Sequence, residues 1–432
     1  MKKCLALALA ALMVIALAGM ASASATPTKL TLWTFIDQHA KFYNEMAEEW
    51  NKANPDKPIA LEATVIGYDD MHNKLKIALQ SGIGAPDMCD VELGQFPNVL
   101  LGEPQLVALN DALSPYIDTI VPSRLSIYSK GDVHYGVPTH VGATVAFYNV
   151  ELLEAAGIDY KTIVTWDDWA AAGKKLKEAN PDAYMGNVET TTQWQTSLML
   201  TEQGADFQDN SNPDDPKPTV NTPELLKAVE TQQQWLKDGI AFLCPGGQVD
   251  TEEGKAWLNT GVCATVIMPE WYMSRFVDEI PDMAGKYAIA PAPVFEAGQP
   301  RSIGLGGTGT VVTLTCPDIP LASDFISWAK LSELGESTIW NVMGFDPVNT
   351  AVWDDEALTH NPDNKFNKYF LTNVFDTLNE VKGEIKYVSS TSISPTINSY
   401  FSSTLWNNLY IDQLDAAAEL EAAQEAIEAD IF

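Results

Sequence analysis

Apolar and polar residues alternate along this chain in two rhythms, and together they predict a strand-then-helix order. "KLTLWTF" (29–35) reads as a strand. Phe42, Met46 and Trp50 then recur at i, i+4 and i+8, the spacing of one helix face, until "NPDKP" ends the run. "IALEATVIG" is a second strand. A helix is expected from about Asp70, with Met71, Leu75 and Leu79 on one face and Gly82 as its stop. "DMCDVEL" and "ATVAFYN" are further strands. "TWDDWAAAGKKLKEAN" opens with Thr165 and Asp168 spaced as a capping box, then places Trp169, Ala172 and Leu176 on its apolar face. At the C-terminal end Ala416, Leu420, Ala423, Ile427 and Ile431 form one packing stripe. The alternation predicts α/β layers with largely parallel sheets. "DNSNPDDPKPT" (209–219) is the most loop-like segment.

The N-terminus departs from these rhythms. Lys2 and Lys3 precede an apolar run to Met20, and "ASASA" follows. A charged start, a short apolar stretch and small residues before a cleavage point describe a secretory signal peptide, with cleavage expected after Ala25. Met20 stands where a lipoprotein leader would carry cysteine, so a lipid anchor is not expected. Removing Lys2 and Lys3 leaves 24 basic residues against 58 acidic ones, a net charge of −34. Such a chain repels nucleic acid and anionic lipid. Its 407 remaining residues suggest two domains of ordinary size. Four cysteines remain, Cys89, Cys244, Cys263 and Cys316, and Cys244 with Cys263 is the favoured pairing of the three possible schemes. No C-x-x-C or H-E-x-x-H spacing occurs, so neither a structural metal nor a cofactor is expected.

Catalytic signatures are weak. "GLGGTGT" (304–310) contains G-x-G-x-x-G, but a loop precedes it and the strand-like "TVVTLTCP" follows, the reverse of the order a dinucleotide needs. There is no G-x-S-x-G and no P-loop. With 58 acids, some pair always looks like a glycosidase dyad, so that signal decides nothing. Tryptophan is more informative. Trp50, Trp169 and Trp235 sit on apolar helix faces and read as core, whereas Trp33, Trp194, Trp271 and Trp340 lie where strands end or loops begin. A flat indole suits the C–H face of a sugar ring, and nearby amides and carboxylates can bond its hydroxyls.

Taken in order, "LTLWTF", "ALQSGIGAPDMCDVE", "YGVPTHVGATVAFYN", "TWDDWAAAGKKLKEAN", "GVCATVIMPEWYMSRF" and "GFDPV" resemble the extracellular solute-binding proteins of sugar ABC importers. The chain is similar to the maltodextrin-binding type, and most like its members serving arabinose, other pentose or disaccharide uptake. The resemblance implies a two-lobed periplasmic binding protein fold of type II with three interlobe crossings, near "THVG", "PAPVF" and "GFDPV". Residues 26–139 plus 296–343 would form the first lobe, and 142–290 plus 348–432 the second. It implies no enzyme activity, a sugar ligand, an ABC permease as partner, a monomer, and a periplasmic or cell-surface location.

The same resemblance places ligand contacts at Trp33, Asp37 and His39 after the first strand, at Glu92 and Gln95, and at His140 near the hinge. From the second lobe it brings Gln193, Trp194 and Trp271, with Asp346 at the third crossing and Tyr400 near the cleft. Trp271→Ala is expected to abolish sugar affinity and leave stability nearly intact. Plainer readings stand beside these: His39 can start a helix, His140 can bond hinge backbone, Glu92 and Asp346 can hold loops, and Tyr400 can pack. The basic residue that maltodextrin-binding relatives carry after the first strand is replaced around Gln38, and their charged pair near Gly94–Gln95 is absent. Two other functions fit parts of this pattern: a secreted carbohydrate-active enzyme, or the same fold holding a polyamine by cation–π contact.

Overall fold

The structure, a computed structural model, describes residues 26–212 and 215–431; the leader expected at residues 1–25 lies outside them. The chain opens with β1 (Thr28–Thr34), α1 (Asp37–Ala53), β2 (Ile59–Val65), α2 (Tyr68–Ser81) and β3 (Met88–Glu92). Phe42, Met46 and Trp50 are all buried along α1, as their spacing predicts. Gly82 ends α2 in the left-handed region at φ 69°. The chain continues through β4 (Val137–Pro138), β5 (Thr144–Asn149), α3 (Trp166–Ala179), β6 (Thr265–Pro269), β7 (Tyr287–Ala290), β8 (Thr308–Val312), α4 (Ile319–Leu331) and α5 (Ala416–Ile431). The Thr165/Asp168 capping box forms at the start of α3. Beneath it Trp169 and Trp235 pack with ring centroids 4.3 Å apart, and Trp166 sits 5.5 Å from Trp235. In α5, Ala416, Leu420, Ala423 and Ile427 are buried as one stripe, with Ile431 packed against the same core.

Two sheets organise these elements. In the first the strand order is β2-β1-β3-β8-β4. Here β1 runs parallel to β2 and β3, whereas β8 is antiparallel to both β3 and β4. In the second, β5 lies between β6 and β7 and is antiparallel to both. Within these two sheets the expectation of largely parallel strands holds only for β1, β2 and β3, while two short pairings outside them, Gly186–Val188 with Ala241–Leu243 and Ile303–Gly304 with Lys386–Tyr387, are parallel. The reason lies in the connections: β8 enters the first sheet with Thr308 opposite Glu92, at the end where β3 leaves it, so it must run the other way.

The passages between the sheets lie side by side. His140 bridges Pro347, and Ala143 bridges Gly304. Buried Arg124 donates through Nε to the His140 carbonyl at 3.1 Å and through Nη2 to the Gly306 carbonyl. The Asp346 carboxylate accepts from the backbone N–H groups of Gly142 at 2.8 Å and Ala143 at 3.0 Å. Its own N–H donates to Glu270 Oε1 at 2.8 Å; burial beside Asp346 pushes the Glu270 carboxyl well above its ordinary value. The glycines of "GLGGTGT" serve this crowding. Gly307 has φ 115°, and a Cβ there would stand 2.2 Å from Arg124 Nη2.

Two local expectations change. "PAPVF" does not pass between the sheets: Val294 bridges Thr165, and the Phe295 N–H donates to Glu202 Oε1 at 2.8 Å. Arg301 then pairs with Glu380 and Glu384, and Ser302 Oγ donates to the Thr144 carbonyl, so the passage falls at Gly304–Gly307. Cys244 and Cys263 are not paired; all four described cysteines are free buried thiols, and Cys263 Sγ points to the Thr265 carbonyl. No described helix is long and apolar enough to cross a membrane.

Candidate ligand-binding cleft

A cleft of about 1020 Å³ opens between the two sheets, a size suited to a small organic ligand. Its floor is the passage Gly304–Thr308. One wall grows from the five-stranded sheet. The loop after β1 supplies Phe35, the first turn of α1 supplies His39, the end of β3 supplies Glu92 and Gln95, and α2 supplies Tyr68. His39 Nδ1 is 3.1 Å from Asp90 Oδ2, which fixes the imidazole against the wall. Asp90 also accepts from Thr34 Oγ1, Tyr43 OH and Thr310 Oγ1 at 2.7–2.8 Å. Tyr68 OH donates to Glu92 Oε2 at 3.0 Å, and the Gly94 N–H donates to the same oxygen at 2.7 Å. Burial raises the Glu92 carboxyl from its ordinary value, against these hydrogen bonds. His140 packs on Phe345 with ring centroids 4.6 Å apart. Burial, reinforced by the Arg124 guanidinium, pushes His140 well below its ordinary value, so its ring is neutral. Neither of its ring nitrogens has a protein partner.

The opposite wall is aromatic. Trp194 starts a helix (Trp194–Thr201), held by its backbone N–H donating to Glu189 Oε2 at 2.8 Å. Trp271 stands two residues after the end of β6. The two indoles meet edge to face, with centroids 5.6 Å apart. Trp271 is only 8% exposed; its Nε1 donates to the Leu305 carbonyl at 3.1 Å, and a Cβ at Gly306 would lie 2.9 Å from that nitrogen. Gln193 Nε2 donates to Asn398 Oδ1 at 2.7 Å.

Of the residues singled out from sequence, the structure brings His39, Glu92, Gln95, His140, Gln193, Trp194 and Trp271 to this cleft. The other four expected contacts do not line it, and neither does Trp340, which is buried in the core. Trp33 packs against the cluster around Met71 and Leu75, with Lys74 Nζ 4.5 Å over its ring. Asp37 is exposed in the first turn of α1. Asp346 is 1% exposed and bonds hinge backbone, and Tyr400 packs beside the core around α5. The cleft also holds Tyr68, Asp250, Arg275 and Phe345, which sequence reasoning missed. Arg275 had a signal, standing four residues after Trp271; Asp250 had none.

Residues 36–336 match the family model of bacterial extracellular solute-binding proteins. The chain is 41% identical over 414 residues to an arabinooligosaccharide-binding protein of Halalkalibacterium halodurans, covering 94% of this chain and 90% of that one. It is 40% identical over 361 residues to an arabinooligosaccharide-binding protein of Bacillus subtilis, covering 83% and 82%. Among solved structures, an ABC-transporter-associated binding protein of B. animalis subsp. lactis in complex with β-1,6-galactobiose superposes with TM-score 0.77 at 20% identity, covering 93% of this chain and 97% of that one. The galacto-N-biose/lacto-N-biose I-binding protein of Bifidobacterium longum superposes with TM-score 0.76 at 16% identity, covering 94% and 96%. At such identities these two likenesses establish the two-lobed fold.

Proposed function

The chain belongs to the bacterial extracellular solute-binding proteins, and from that premise we propose that its cleft captures a short arabino-oligosaccharide and delivers it to a membrane permease. The family is one of transport components, not enzymes. The observation that carries the reading is a cleft with an indole pair on one wall and fixed hydrogen-bonding groups on the other. The two near-full-length relatives suggest the sugar class. Covering about 50 Å² of a sugar's C–H face with an indole contributes roughly 1 kcal/mol. Each hydrogen bond to a charged group adds about 1.5–3 kcal/mol.

In this proposal residues 26–139 and about 308–343 form one lobe, and about 143–303 with 348–431 the other. Ligand contacts drawn from both walls favour the closed arrangement, because only there are all of them made at once. His39, Glu92, Gln95 and His140 act from the first lobe, and Gln193, Trp194 and Trp271 from the second. The protein acts as an exported monomer, and the closed form is what the permease recognises.

Trp194→Ala is the cleaner test, since Trp194 is half-buried. Trp271→Ala would also empty a packed site, at a cost of about 3–5 kcal/mol in stability. Calorimetry with α-1,5-arabinobiose, α-1,5-arabinotriose, maltose and putrescine should give heat for the arabinose oligomers. Trp194→Ala should weaken that binding about tenfold or more. Heat from putrescine alone, or from none of the panel, would overturn the reading.

A further inference from the structure

On the aromatic wall, Arg275 and Asp250 form a two-point ion pair: Nε to Oδ1 at 3.0 Å and Nη2 to Oδ2 at 3.2 Å. Both residues line the cleft. Arg275 Nη1 donates to Ser274 Oγ at 2.9 Å, and the guanidinium lies 5.3 Å from the centre of the Trp271 ring. The pair is mostly buried, with side-chain exposures of 13% and 22%. Of the five N–H groups of a guanidinium, these bonds engage three. Two remain, and each Asp250 oxygen keeps a free lone pair.

From this geometry we infer that the Asp250–Arg275 pair is a specificity determinant, reading two neighbouring hydroxyls of the sugar ring beside it in the cleft. The inference rests on the sugar-binding reading above and names the groups that would do the discriminating. A hydroxyl both donates and accepts, so two adjacent ones can meet a spare guanidinium N–H and a spare carboxylate lone pair together. Because Ser274, Trp271 and the partner carboxylate already hold the guanidinium, little side-chain freedom is lost on binding. The pair also neutralises itself. A uronate would compete with Asp250 for the guanidinium and a polyamine with Arg275 for the carboxylate, so the arrangement favours a neutral polyhydroxylated ligand over either.

The test uses the full mature protein, α-1,5-arabinobiose and its mono-deoxy analogues, with Asp250→Asn and Arg275→Lys as variants. Arg275→Lys keeps the charge near Asp250, and circular dichroism confirms that each variant is folded. Each variant is expected to weaken arabinobiose binding about tenfold or more. The penalty for at least one deoxy analogue, clear in the unaltered protein, should nearly vanish in the variant whose partner group has gone. Folded variants that bind within about twofold of the parent, or unchanged deoxy penalties in both, would overturn the inference and leave the proposed function standing. If the unaltered protein bound no arabinose oligomer, function and inference would fall together.

Discussion

Two buried carboxyl sites, Asp90 beside the five-stranded sheet and the Glu189 and Glu202 pair on the other side, sit in opposite electrostatic settings. On the side of the five-stranded sheet, burial alone would raise Asp90. The hydrogen bond from His39, the Lys330 ammonium at 4.0 Å and the Thr310 hydroxyl outweigh it and hold Asp90 well below the usual carboxylate range. On the other side, burial pushes Glu189 up to about 7 and Glu202 up to about 8. Their main partners are backbone N–H groups, a hydroxyl and an indole, which cannot compensate a full charge. The signs of the resulting pH dependence oppose each other. A depressed pKa stabilises the fold above the unfolded value of about 3.9, and that contribution is lost as pH falls below it. A raised pKa stabilises below about 4.3, and that contribution is lost as pH rises towards the folded value. The contribution of Asp90 should be lost in acid, and those of Glu189 and Glu202 towards alkali.

The severest way to break this contrast is Asp90→Ala. It strips Lys330 of its counter-charge and leaves the Thr34, Tyr43 and Thr310 hydroxyls without their shared acceptor. A loss of about 3–5 kcal/mol is expected in urea unfolding, the cost of an uncompensated buried charge. A loss below about 1 kcal/mol would mean that Lys330 finds solvent or another partner, and the contrast would fail on this side.

Glu202→Gln sharpens the other side. Both bonds that Glu202 receives, from Trp166 Nε1 at 2.9 Å and the Phe295 N–H at 2.8 Å, end on Oε1, and Oε2 has no partner. A glutamine with its carbonyl at the Oε1 position keeps both bonds and cannot ionise. The variant should flatten the fall in stability between about pH 5 and pH 8, and exceed the parent by about 1–3 kcal/mol at pH 9. An unchanged profile would place Glu202 in its ionised form throughout.

How far the sequence foretold each side follows from which interactions are local. The helix over 37–53, the Thr165/Asp168 cap and the burial of Trp50, Trp169 and Trp235 are set by residues within one or two turns of each other, so spacing reveals them. His39, Glu92, Trp194 and Trp271 reached the cleft because the ends of strands, and the helical turns that start just after them, point there. Trp33 shares such a segment but lies on β1 itself, where its ring joins the packing on α2. The Asp90 network, with partners on α1, β8 and α4, and the Asp250–Arg275 pair, 25 residues apart, are non-local. No periodicity marks them. The strand directions were missed for the same reason, since the turn of β8 against β3 is decided by where the chain re-enters the sheet.

The smallest expected effect lies where the two sides touch. Gln38 Nε2, on α1, donates to Asp278 Oδ2 at 2.6 Å, and Asp278 also pairs with Lys365 Nζ at 3.1 Å. Gln38 comes from the first side; Asp278 and Lys365 belong to the second. This bond is solvent-exposed, so its contribution is at most about 1 kcal/mol. It spans the sides only while they are together, and its free energy therefore enters the closing equilibrium and not the stability of either half. Gln38→Ala should weaken arabinobiose binding about two- to fivefold, mainly through faster release, with the melting temperature of the unliganded protein unchanged within about 1 °C. Asp90→Ala should do the reverse, costing far more stability for each unit of affinity lost. If Gln38→Ala lowered the unliganded melting temperature and left release unchanged, the bond would belong to the fold on one side and not to the contact between them.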